Sequence, residues 1–222
     1  MSAVAATLTP RKSPVQARSA ATIEALHMAA IQVLTREGLS HCTTTRIAER
    51  AGISVGSLYQ YYPNRDALLA AVLEKHLDGI AGAVEQACRA HRGKPVSQMA
   101  SALTIAFLAA KLRDPEESKA LYAVAEERGG AEIVARLRRR IVAAVAAMLA
   151  SAADAYFDDP AMTSTIALSA LVGPVRTLLE GHAPAEFEAC LERQLVLLLT
   201  AYLQTYQLRP QKPASRRNRR MP

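Results

Sequence analysis

Between Thr44 and Arg65 the chain gathers side chains suited to phosphate oxygens and to the edges of bases. Thr44, Thr45, Ser54, Ser57, Tyr59, Gln60 and Tyr61 bring hydroxyl or amide groups, and Arg65 adds a fixed cation. Such groups hydrogen-bond a nucleic-acid backbone, which sets register, and base edges, which set sequence preference. Val55, Gly56 and Ser57 are small, so a helix starting there can approach base edges closely. The Tyr59 hydroxyl is placed to reach a phosphate. Arg65 falls in the first turn of a further helix, where a cation opposes the helix dipole, and a nearby phosphate would account for it.

Two short helices must hold these residues. One precedes Ala51-Gly52-Ile53-Ser54, with Ile47 and Ala48 turned inward and Thr44, Thr45, Glu49 and Arg50 polar. Its threonine run offers an N-cap oxygen. Gly52 permits the positive φ that ends a helix and turns the chain. Ser54 caps a second helix over about 55–61, too short to be stable alone, with Leu58 as its buried anchor. Pro63 stops that helix and Asn64 caps the next. A helix pair joined by a glycine turn is a helix-turn-helix, whose second helix enters the DNA major groove. The same spacing also describes an ordinary helical hairpin with a polar surface.

The segment resembles the DNA-binding domain of the TetR (tetracycline-repressor-like) transcriptional regulators. The resemblance rests on Thr43 before Ile47-Ala48, on Ala51-Gly52-Ile53-Ser54 and on Gly56-Ser57-Leu58-Tyr59. It continues through Tyr61-Tyr62-Pro63-Asn64-Arg65 into Leu68-Leu69, and back through Gly38 to Ala17. Val55 stands where many members carry lysine, which removes one usual phosphate contact; Arg65 replaces a commoner lysine and keeps the charge. The resemblance implies a dimer formed through the C-terminal domain and repression relieved by a small molecule.

The 222 residues are 50% hydrophobic, lack Trp and carry a net charge of +7. Alanine and leucine dominate the periodic stretches, which argues for an all-α protein. Residues 1–65 hold seven Lys/Arg against three Asp/Glu, residues 66–206 fourteen against seventeen, and residues 207–222 six against none. A basic head on a mildly acidic body suits a DNA-contacting unit joined to a sensing unit. With no glycine-rich phosphate loop, nucleophile elbow or repeated metal-ligand pattern, neither an enzyme nor a metal or cofactor is expected. Cys42, Cys88 and Cys190 are far apart and imply no disulfide framework. Cys42 lies near a helix start, where a thiol pKa can fall, which leaves a redox role open. The uncharged runs 141–153 and 194–208 are shorter than the roughly 20 residues that span a bilayer, and no signal-peptide pattern is seen. A cytoplasmic protein is expected.

The expected organisation is a flexible basic arm (1–16), a three-helix DNA-binding domain (17–65), a ligand-sensing and dimerisation domain (66–208) and a disordered basic tail (209–222). Arg11 and Lys12 of the arm either reach a minor groove or add only non-specific attraction. A first helix over 17–37 shows Ile23, Leu26, Ala30, Ile31 and Leu34 at helical spacing, with His27 a surface or boundary residue. A long helix from Asn64 to about Arg89, roughly 35–40 Å, links head to body. Body helices follow over 96–111, 115–128, 131–156, 158–180 and 185–208, with Gly173-Pro174 expected to kink the fourth. Arg136, Arg138, Arg139 and Arg140 are read as a solvated face pairing with Glu126, Glu127 and Glu132 in preference to a second nucleic-acid site.

In the last helix Phe187, Leu191, Leu195, Leu198, Tyr202 and Tyr206 form a stripe, with further apolar residues beside it. It must be covered on two sides. Two copies of the last two helices would make a four-helix bundle, with Ile166, Val172, Leu191, Leu195, Leu198 and Tyr202 as interface candidates. A two-fold dimer spaces its recognition helices about 34–36 Å apart or more, so the operator should be an inverted repeat. Met99, Leu103, Phe107, Tyr122, Val145 and Met148 are candidates for a mostly apolar effector pocket, though plain core explains each more simply. The expected partners are a double-stranded DNA operator, a second copy of the chain and a small-molecule effector. The alternative is an architectural or scaffold nucleic-acid-binding protein without an effector.

Overall fold

The computed structural model describes residues 17–127 and 129–206. The arm and the tail lie outside these residues. Their regular elements are helical: α1 (Ala17–Glu37), α2 (Thr44–Ala51), α3 (Val55–Tyr61), α4 (Arg65–Ala90), α5 (Val96–Lys111), α6 (Pro115–Glu126), α7 (Gly130–Leu149), α8 (Pro160–Leu179) and α9 (Phe187–Gln204). A 3-10 turn, Leu39–His41, leads from α1 to α2.

Side-chain oxygens start most of the helices by taking up amides that the first turn leaves unpaired. Thr43 accepts from the Arg46 amide, Ser54 from Ser57, Asn64 from Ala67, Asp114 from Glu117 and Asp159 from Met162. Pro115 and Pro160 then occupy the first turn, where a missing N–H costs nothing. At the end of α2, Gly52 takes φ 69° and its amide donates to the carbonyls of Ala48 and Glu49. That left-handed residue swings the chain into α3.

The buried side chains form two clusters. The head cluster holds Leu26, Ala30 and Leu34 of α1, Ile47 and Ala48 of α2, Leu58 of α3, and Leu68, Leu69, Val72 and Leu73 of α4. It also holds Leu121 and Val124 of α6 and Ile133 of α7. The body cluster begins at Ile80 on α4 and takes the inner faces of α5, α7, α8 and α9. Leu77 of α4 packs against both. The division expected at residue 65 thus falls at the first residue of α4, whereas the head's core continues through two more turns of that helix and into α6.

Several expected details differ. The inner face of α1 includes Ala29, Val33 and His27, while Ile23 and Ile31 are only half-buried. Helix α7 ends at Leu149, not near Tyr156, because the following residues find partners elsewhere. Ala153 N–H donates to the Lys94 carbonyl at 3.2 Å, and Asp154 Oδ1 accepts from Val96 N–H at 2.9 Å. Helix α8 runs unbroken through Pro174. Gly173 before it has no Cβ to crowd the ring, which removes the usual reason for a break at the preceding residue.

Within the arginine cluster, Arg136 and Arg140 pair with α4, not with Glu126, Glu127 and Glu132. Arg136 meets Glu74 at 2.5 Å, and Arg140 meets Asp78 at 2.7 Å and Glu85 at 2.5 Å. Arg138 donates to Ser169 of α8 at 2.8 Å. The cause is that α7 lies along α4, whose outward carboxylates recur at helical spacing. Glu126 instead meets Arg176 at 3.3 Å, and Glu127 lies 3.9 Å from Arg65.

By length and composition α8 is apolar enough to cross a membrane. Its Thr163, Ser164, Ala167, Leu168, Leu171, Val175 and Leu179 are buried, so it serves as a core helix of the body. The hydroxyls on it fold back onto its own carbonyls, Ser164 onto Pro160 at 2.6 Å and Thr163 onto Asp159 at 3.0 Å.

Candidate nucleic-acid interface

Helix α3 is held from behind by one fully buried side chain, Leu58, and by the partly buried Val55 and Tyr61 that pack on the head's core. Its outer surface carries exposed Gly56, Tyr59 and Gln60, with Ser54 exposed at its cap and Ser57 half-exposed. Ser54 Oγ accepts from the Ser57 amide at 3.0 Å and lies 2.8 Å from Ser57 Oγ. One pair of hydroxyls therefore both caps the helix and presents polar groups at its leading end.

Helix α2 supplies the second edge of this surface. Thr45 is exposed, and Thr44 Oγ1 lies 3.2 Å from the Tyr59 hydroxyl. That contact links Tyr59 to α2, and the residue is 41% exposed. Arg46 pairs with Glu37, and Arg50 Nε donates to Gln32 Oε1 at 2.6 Å. Both cations brace α2 against α1. The structure thus brings Thr44 to Tyr59 and Ser54 to Ser57 and leaves Thr45, Gly56 and Gln60 exposed on the same two helices, whereas Val55 and Tyr61 pack on the head's core.

Arg65 stands at the start of α4, beside this face. Its Nε donates to Asp66 Oδ1 at 3.0 Å, and its Nη2 lies 3.9 Å from Glu127 Oε2. Glu127 sits at the α6–α7 turn, which Gly129 makes with φ 85°. A Cβ on the next residue, Gly130, would collide with the Ala125 and Val124 carbonyls, so the turn admits only glycine there without rearrangement.

Behind the interface, Tyr62 and His27 are buried together, with Tyr62 Oη 2.7 Å from His27 Nε2. Burial, helped by Lys75, pushes the imidazole pKa down to about 4, and burial pushes the phenol up to about 12. Both groups are neutral at pH 7. His27 is expected from the sequence at the surface or boundary; the pairing spans 35 residues and only the tertiary fold brings the two together. Cys42 does not have the lowered pKa that a helix start can confer. It is buried beneath α1, its Sγ 3.9 Å from the Ala30 carbonyl, and burial raises its thiol to about 11. That environment favours an inert thiol.

In the body, Met99, Leu103, Phe107, Val145 and Met148 are all buried in the core and Tyr122 packs at its edge. A surface cleft of about 90 Å³ lies elsewhere, between α4 and α7, bounded by Leu77, Ile133 and Leu137. Of the interface candidates, Ile166, Val172 and Leu198 are exposed at 47%, 44% and 49%, and Leu197 beside them at 63%. Tyr202 is half-buried. Leu191 and Leu195 differ: with Leu199 and Leu203 they form the inward stripe of α9 and are buried within the chain's own core. Four-residue steps suit the ridges of a helix packed on a neighbour, here α5.

A capped three-helix head with a small-residue leading end on its second helix-turn-helix segment, carried on a helical body, defines a helix-turn-helix regulator of transcription. Residues 28–72 match the family described as bacterial regulatory proteins, tetR family, and residues 95–203 match the tetracyclin repressor-like C-terminal domain. The chain belongs to the TetR family of DNA-binding transcriptional regulators. It is 38% identical over 64 residues to the HTH-type transcriptional activator FasR of Mycolicibacterium smegmatis; the match spans 29% of each chain. Its fold is similar to that of SmeT, the repressor of the Stenotrophomonas maltophilia multidrug efflux pump SmeDEF (TM-score 0.65, 18% identity, 85% of this chain and 91% of that one). SmeT is also solved as a complex with triclosan (TM-score 0.66, 20% identity, 86% and 93% covered). The fatty acid degradation regulator FadR of Bacillus halodurans is similar too (TM-score 0.63, 14% identity, 80% and 97% covered).

Proposed function

We propose that the protein is a homodimeric repressor that holds an inverted-repeat operator and leaves it when a small molecule binds the body. The observation that carries this reading is the head's core, which takes in Leu121, Val124 and Ile133 of the sensing part. A displacement of α6 or of the start of α7 would then reposition the recognition helix, as a ligand-controlled regulator needs. SmeT, with a similar fold and a triclosan complex, supports small-molecule control; FasR, an activator, keeps the direction of regulation part of the test.

In this reading Ser57 and Gln60 meet base edges, while Thr44, Thr45, Tyr59 and Arg65 meet phosphates. The dimer forms through exposed Ile166, Val172, Leu197 and Leu198 on α8 and α9. Selection from random duplexes by the full chain should return an inverted repeat, and transcription from a promoter carrying it should fall when the protein is added. A single half-site, or equal binding to all duplexes, would replace this reading with the architectural one.

A further inference from the structure

Two polar side chains of α5 lie inside the protein without a conventional partner. Lys111, the last residue of α5, is 6% exposed, and no described carboxylate forms an ion pair with it. Its Nζ stands 4.4 Å from the centre of the Tyr122 ring. Thr104 is fully buried, and its Oγ1 has no hydrogen-bond partner. Seven residues make almost two full turns, so both lie on one side of α5, roughly 10 Å apart. Between them come Phe107 and Leu108, both buried.

The neighbours of Lys111 are already committed. Glu117 Oε1 is engaged by His76 Nδ1 at 2.9 Å, and Ser118 Oγ donates to the Lys111 carbonyl at 2.7 Å. Arg176, 5.3 Å from the Tyr122 ring centre, is taken up by Glu180 at 2.6 Å and Glu126 at 3.3 Å. Burial pushes the Lys111 amine down to about 8, against the pull of Glu117, so it remains mostly charged at pH 7. A buried cation compensated by one aromatic face, its own helix C-terminus and the more distant pull of a Glu117 already held by His76 is costly unless a further anion completes the site.

We propose that the effector is an amphipathic organic anion, its carboxylate or equivalent acid group on Lys111 beside Tyr122 and its apolar part along α5 toward Thr104. The site rests on the effector-controlled reading above and names the class of ligand that reading leaves open. Five of the apolar pocket candidates already belong to the same core, so the ligand would displace part of their packing at the Lys111 end of α5, beside Tyr122. Thr104 supplies a donor for a second polar atom about two turns away.

The test uses the full chain, octanoate and 4-phenylbutyrate as probes, and the methyl ester of each as its uncharged control. Thermal stability, isothermal titration and release of the selected operator are measured for the wild type, Lys111→Met, Lys111→Arg and Thr104→Val. At least one acid should bind and release DNA while its ester does not. Lys111→Met should weaken that acid at least about 30-fold, the usual scale for deleting one partner of a buried charge pair. Lys111→Arg should retain part of the binding. The proposal fails if neither acid binds, if esters bind as well as acids, or if Lys111→Met binds the acid undiminished. Operator binding without ligand, measured alongside, separates these failures from failure of the regulator reading, since a protein that never binds an operator sinks the latter.

Discussion

Arg65 Nη2 and Glu127 Oε2 stand 3.9 Å apart, one at the first turn of the helix that leaves the DNA-binding head and the other at the turn between α6 and α7. The Arg65 side chain is 32% exposed and that of Glu127 43%, so this is a weak contact in energy. Its importance is positional, because a phosphate and Glu127 would compete for the same cation. Arg65→Ala should weaken binding to every duplex and make the log–log salt slope shallower by about 1, the value for one lost phosphate contact. Glu127→Gln should act oppositely and tighten binding several-fold at low salt. Equal slopes for the wild type and Arg65→Ala would remove Arg65 from the contact surface.

The contact between Tyr59 and Thr44, at 3.2 Å, predicts a division between affinity and specificity. Tyr59→Phe removes the hydroxyl and should weaken all sequences alike, on the order of 1 kcal/mol. Ser57→Ala leaves that contact intact and should instead change which bases a selection returns. A changed consensus from Tyr59→Phe would move the base-reading group to Tyr59.

Acid should destabilise the head through His27. Its folded pKa of about 4 lies below the ordinary 6.5, so the unfolded chain takes up the proton first on acidification. The contribution is complete above pH 6.5 and is lost as pH falls from there toward 4, at about 1.4 kcal/mol per pH unit and roughly 3 kcal/mol in all. Glu24 and Glu117, whose pKa values are lowered from 4.5 by Lys75 and His76, lose their contributions only at lower pH. Denaturant midpoints between pH 6.5 and 4.5 therefore isolate the histidine. A His27→Gln variant should show a flatter profile there; an unchanged slope would assign the acid sensitivity elsewhere.

Outer and inner leucines of α9 should separate assembly from folding. Leu195→Ala empties a site that is 2% exposed and should cost about 2–5 kcal/mol of stability. Leu198→Glu changes a side chain that is 49% exposed and should yield a folded monomer by sedimentation, with reduced operator affinity. A Leu198→Glu protein that remained dimeric would place the interface on another face.

Much of the head was legible because its signals are local. Thr43, Ser54 and Asn64 cap helices within three residues of themselves, and Gly52 turns the chain where it stands. The register of α9 was less legible, since Leu198 and Leu199 are equally apolar and only the position of α5 decides that Leu199 faces inward. The partners of Arg136 and Arg140 were hidden for the same reason: Glu74 and Glu85 come from a helix more than fifty residues earlier. Lys111 offered one faint sign, a lysine in step with Leu103, Phe107 and Leu108 on the inward side of α5.

The shared packing of Leu121, Val124 and Ile133 also bears on how the molecule can be taken apart. A fragment cut after α4 would leave Leu69 and Leu73 facing water where α6 had covered them. Chimaeras that graft this reading head onto a different sensor should therefore carry the α6–α7 turn with it, because the natural seam for exchange runs behind that turn.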